Sequence, residues 1–147
     1  MEEQITKIIT GNIFIDDRGS LKFVNDFNFQ NVKRFYQVQN HRRGFIRAWH
    51  GHKKEAKYVY VAKGTALVGC VKLPNESSIS ESKVEKFVLS SHHPKILYIP
   101  FGYANGFMNL ENDTIIQFFS TSTLEESKGD DIRFPYNTWN IWEEDFR

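Results

Sequence analysis

The sequence predicts a single all-β domain, a sandwich or barrel of about ten short strands, and three observations predict it. Apolar residues recur with period two in short runs, and turn residues interrupt those runs at close spacing. Aromatic residues make up 15% of the chain, with thirteen Phe, six Tyr and three Trp, and these types favour strands over surface helices. The 147 residues are enough for one core and too few for two of ordinary size.

In chain order, strands are expected over Leu21 to Val24, Lys33 to Val38, Lys57 to Ala62, Thr65 to Leu73, Val84 to Leu89 and Thr114 to Ser120. Turn chemistry separates them at Asp16-Asp17-Arg18-Gly19, Lys63-Gly64, Pro74 to Ser78, His93-Pro94, Pro100-Phe101-Gly102 and Lys128-Gly129-Asp130-Asp131. No amphipathic helix of three turns fits between these breaks. The longest helical candidate is Thr123 to Lys128, where Thr123 caps and Glu125 and Glu126 occupy the first turn. The polar stretch Pro74 to Ser82 reads as a mobile loop, and within it Asn75-Glu76-Ser77 matches a glycosylation acceptor that a cytoplasmic chain leaves unused.

Charge and cysteine content narrow the function. Nineteen Lys and Arg against eighteen Asp and Glu leave +1, so no bulk field recruits nucleic acid or an anionic membrane, and an anionic ligand must be caught locally. Cys70 is the single cysteine and has no internal disulfide partner; with no export signal and no 18-residue apolar run, the expected location is the cytoplasm.

Two blocks carry the chemistry. The first runs Gly44-Phe45-Ile46-Arg47-Ala48-Trp49-His50-Gly51-His52, followed by Lys57 and Gly64. The second is Pro100-Phe101-Gly102-Tyr103-Ala104-Asn105-Gly106-Phe107-Met108-Asn109. Together they resemble the two cupin motifs in order and at matching spacing, which implies a double-stranded β-helix, the jelly-roll barrel. On a strand, i and i+2 project to the same side, so His50 and His52 are expected to point together into the barrel. In metal-binding cupins the glutamate and the last histidine complete the ligand set, and those positions hold Lys57 and Asn105. A cation beside a divalent metal is repulsive and a carboxamide is a weak ligand for borderline ions, so neither a metal nor another cofactor is expected.

Within the cupins the chain resembles the dTDP-4-dehydrorhamnose 3,5-epimerase family. Asp16-Asp17-Arg18-Gly19, Gln39-Asn40, Arg47-Ala48-Trp49-His50, Lys57, Pro100 to Phe107 and the closing Asn140-Ile141-Trp142 carry the likeness from Asp16 to Trp142. The resemblance implies a metal-independent isomerase acting on a nucleotide-diphosphate sugar, dTDP-linked by the family's habit, that carries a 4-keto group. That group acidifies the adjacent C–H bonds, so a neutral His50 serves as general base, and Lys57 or Arg47 holds the enolate charge. Arg18 and Arg47 are candidates for the diphosphate, since a guanidinium fork matches phosphate oxygens. Gln39, His52, Asn105 and Phe118 complete the expected substrate-binding set. Phe23, Phe27, Tyr36 and Trp139 are available to stack on a nucleobase.

Two departures bear on mechanism. The family's tyrosine, the acid on the opposite sugar face, aligns with Phe118, leaving Tyr103, Tyr136 or a bound water as substitutes. The carboxylate that partners the family's histidine lies beyond the closing tryptophan, where this sequence has five residues left, so Asp145 or Asp130 is left to replace it. The block Arg47 to Lys53 is also similar to the nucleotide-sugar 3,4-ketoisomerases, which need no opposing tyrosine. A non-catalytic sugar-nucleotide binder is the third reading. The resemblance further implies a homodimer built through the N-terminal segment, Met1 to Asp16.

Overall fold

The computed structural model describes residues 4–73 and 83–147. The predicted mobile loop, Pro74 to Ser82, with its Asn75-Glu76-Ser77 match, lies outside these residues. Among the described residues twelve strands and one short helix follow in order: β1 Lys7–Thr10, β2 Asn12–Asp16, β3 Gly19–Phe23, β4 Arg34–Gln39, β5 Ile46–His52 and β6 Lys57–Lys63. Next come β7 Thr65–Lys72, β8 Val84–Ser90, β9 Lys95–Ile99, β10 Tyr103–Asn109, β11 Ile115–Ser120, α1 Leu124–Lys128 and β12 Ile132–Arg133. The jelly-roll expectation holds: two five-stranded antiparallel sheets, ordered β1-β9-β6-β11-β4 and β12-β5-β10-β7-β8, face each other, and β2 and β3 form a separate hairpin.

The expected strands sit within a residue or two of their predicted ends. Two of the further strands were hidden by pattern: β10 is buried on both faces and so shows no alternation, and β12 has two residues. α1 forms where the capping chemistry places it. The Thr123 side chain accepts from the Glu126 backbone N–H, and the Glu126 carboxylate accepts from the Thr123 N–H in return, a reciprocal cap worth about 1 kcal/mol. Among the described residues no helix is long and apolar enough to cross a membrane.

Two apolar clusters hold the sandwich. Between the sheets lie Val59, Val61, Val68, Cys70, Leu97, Ile99, Phe107, Ile116 and Phe118, with Tyr36 and Val38 packed against them. Behind the second sheet, the C-terminal stretch lays Trp139 and Trp142 on Trp49. The indole N–H groups of Trp49 and Trp142 both donate to the Tyr136 carbonyl oxygen at 3.0 Å. Gly69 and Gly106, paired in register across β7 and β10, leave the space these rings need: a Cβ on Gly69 would stand 2.5 Å from the Trp49 ring. β5 is thereby fixed from behind while its other face is turned to the interior.

Candidate functional site

The interior face of β5 carries the site. Pairing of β5 with β10 runs Asn105 to His50 and then Phe107 to Arg47, so Ala48 and Trp49 stand opposite Gly106 alone. This β-bulge resets the alternation of β5. Residues three apart on a regular strand face opposite ways, yet Arg47 and His50 line the same cavity because one extra residue lies between them. The lining of this cavity, of about 160 Å³, is completed by Tyr36, Val38, Lys57, Asn105, Phe107 and Phe118. A second cavity of about 270 Å³ adjoins it, sharing Tyr36, His50 and Lys57, and is edged by Arg34, His52, Lys128, Asp131 and Arg133.

Electrostatics fit proton transfer. Burial, with the cations of Arg133 and Lys57 adding to it and Asp131 opposing, pushes the His50 imidazole down to about 4. His50 is therefore a neutral base at physiological pH. Burial likewise pulls the Lys57 ammonium down to about 8, against the Glu55 carboxylate, which holds it up. Glu55 has a wholly buried side chain between two cations, with Lys57 Nζ 3.9 Å and Arg34 3.8 Å from its Oε2. Among the described residues neither Glu55 oxygen has a hydrogen-bond partner, and its ion-pair partners are these two cations.

The structure sorts the remaining expected residues. His52 is buried beside the second cavity, and its Nδ1 meets the Asp130 carbonyl oxygen at 2.6 Å, the geometry of a ring N–H donating to it. Burial and the nearby Lys57 lower its pKa too. Asp130 does not partner His50: its carboxylate accepts the backbone N–H groups of Lys53, Lys54 and Glu55, closing the turn before β6. Asp145 lies at the exposed C-terminus beside Arg147. The carboxylate felt by His50 is Asp131, itself paired with Arg133 at 3.0 Å. Tyr103 is buried in the core between the sheets, and Tyr136 is half exposed on the outer side.

Two residues stand apart from the cavities. The Arg18 side chain is 84% exposed on the β2–β3 hairpin and pairs with Asp16, and Gln39 sits on the outward side of β4. Its neighbour Asn40 is the one turned inward. Buried Asn40 accepts from Arg47 Nε at 2.7 Å and donates to Asn109 Oδ1 at 3.0 Å, so Arg47 is held by a chain of amides. The sequence reading puts Gln39 in the substrate-binding set; the alternation of β4 instead turns Gln39 outward and leaves Asn40, the next residue, facing in. Of the sequence candidates for nucleobase stacking, Tyr36 lines both cavities. Phe27 instead packs against Tyr58 and Phe119, and Trp139 against Trp49.

Comparison with known proteins points to one family. Residues 4–143 match the family model described as dTDP-4-dehydrorhamnose 3,5-epimerase. The chain is 29% identical over 108 residues to the spore coat polysaccharide biosynthesis protein SpsL of Bacillus subtilis (strain 168), covering 71% of each. It superposes with a TM-score of 0.77 on dTDP-4-dehydrorhamnose 3,5-epimerase from Bacillus anthracis str. Ames, solved with TDP and PPi bound. That match has 21% identity and covers 93% of this chain and 84% of the other. A 3,4-ketoisomerase from Helicobacter canadensis superposes with a TM-score of 0.68 at 19% identity, covering 92% and 94%.

Proposed function

The chain belongs to the dTDP-4-dehydrorhamnose 3,5-epimerase family, and from that premise we propose that it epimerises a dTDP-linked 4-keto-6-deoxy sugar with His50 as the base. The observation that carries this reading is a neutral imidazole facing a buried ammonium across one cavity. His50 removes a proton from the carbon beside the keto group. The electron pair moves onto the keto oxygen, and Lys57 and Arg47 hold the resulting enolate in a site with little water, where a fixed cation acts strongly. Asn40 and Asn109 keep the Arg47 guanidinium aimed. The first cavity takes the sugar. Arg34, Lys128 and Arg133 around the second supply cations for the diphosphate, a role expected of Arg18 from sequence.

Proton NMR of dTDP-4-keto-6-deoxyglucose in D₂O tests this. Deuterium should enter at C3 and C5 with wild type, and His50→Ala should slow the exchange by about 10² to 10⁴ with the fold intact. No exchange with wild type would overturn the reading. Phe118, which has no proton to give, favours 3,4-ketoisomerisation as the second reading, and the same spectrum separates it: exchange at C3 with the carbonyl moving from C4.

A further inference from the structure

Inverting a carbon requires a proton to leave on one face of the sugar and another to arrive on the opposite face. His50 stands on β5 of one sheet, and the group that completes the inversion must come from the sheet facing it. Resting on the epimerase reading above, we infer that Tyr36 is the catalytic acid of this site, donating to the carbon from the side opposite His50.

The placement of the tyrosines carries the inference. All six lie among the described residues, and Tyr36 is the one lining the cavities that hold His50 and Lys57. Tyr103 and Tyr136 lie in the core and on the outer side, while Tyr58 and Tyr60 lie on the outer face of the first sheet, on the opposite side of β6 from Val59 and Val61, where Tyr58 pairs with Tyr98. Tyr36 belongs to β4, directly across from Phe118 on β11, and the two rings stack at 4.9 Å with 13° between their planes. The hydroxyl missing from Phe118 is therefore offered by the adjacent, parallel ring. Burial raises the Tyr36 pKa, so the phenol stays protonated and ready to donate. Two cations lie over the same ring to steady the phenolate left behind: the Arg34 guanidinium at 4.9 Å and Lys57 Nζ at 5.9 Å.

The step balances without a redox partner. One C–H bond breaks to His50, a new C–H bond forms from the Tyr36 hydroxyl, and solvent then takes the imidazolium proton and returns one to the phenolate. Tyr36→Phe keeps the stacked ring and removes only the oxygen. With dTDP-4-keto-6-deoxyglucose in D₂O, this variant should still exchange deuterium at the acidic carbons within a few-fold of wild type. Formation of inverted product should fall about 10²-fold or more, the contribution expected of a general acid. Tyr36→Phe combined with Phe118→Tyr, which moves the hydroxyl to the neighbouring ring, should recover inversion. Inversion at the wild-type rate by Tyr36→Phe, or equal loss of exchange and inversion, overturns the assignment while leaving the epimerase reading standing. Absence of exchange in wild type overturns the reading itself.

Discussion

A histidine held near 4 and a lysine held near 8 set the pH window of the proposed reaction. The proposed reaction needs His50 neutral and Lys57 charged, so on that reading kcat/KM should rise through about pH 4 and fall above about pH 8. Both groups titrate below their ordinary values of 6.5 and 10.5, so the unfolded chain binds more protons in each interval. Stability attributable to them should therefore increase with pH from about 4 to 6.5 and again from about 8 to 10.5. Glu55→Gln removes the carboxylate that holds Lys57 up, and the descending limb should move to lower pH; an unmoved limb would show that Glu55 does not sustain the lysine's charge. At this scale the sequence was legible where spacing encodes direction. His50, Lys57 and Asn105 were readable, and they share a cavity. Tyr36 was named only as one stacking candidate among four, because its importance comes from a neighbour eighty-two residues away in sequence that touches it only across a strand pair.

The bulge at Ala48 and Trp49 is what turns a strand into a site. Its partner Gly106 leaves no room for a side chain, since a Cβ there would lie 2.5 Å from Ala48 Cβ and 3.2 Å from the Trp142 ring. Gly106→Ala should lower stability by about 1–3 kcal/mol, measured as a drop in denaturant midpoint at constant m value. It should also cut turnover, because relief of the clash shifts β5 and with it His50. The family block containing Gly106 was recognisable in the sequence, but the reason for the glycine was not. It depends on which backbone lies beside β10, and pairing partners are set by topology rather than by local pattern. The same limit explains Asp130, a turn residue in sequence that proves to fasten the entrance to β6.

For the molecule as a whole, the β2–β3 hairpin stands outside both sheets and exposes Phe14, Ile15 and Leu21 at 57%, 70% and 62%. In the homodimer expected from the resemblance, these exposed apolar side chains are the surface that a second copy of this chain would cover. Light scattering should show a dimer for wild type and a monomer for Phe14→Glu combined with Leu21→Glu; a dimer that survives both changes would place the interface elsewhere. The all-β class and the jelly-roll order were legible because turn residues and period-two runs are local signals. The homodimer expectation rests on resemblance, since nothing in one chain's alternation says which exposed face would meet another copy.

All three tryptophans of the chain sit in one cluster on the back of β5. Two of them share a carbonyl acceptor, and the rings lie 5.2 and 5.3 Å from Trp49. Tryptophan emission from this protein, excited apart from its six tyrosines, is therefore a single-locus optical signal with excitation passing between neighbouring indoles, and it should report the seating of the C-terminal stretch on the strand that carries His50. A spectroscopist following that emission watches the rear support of the active strand without attaching a label.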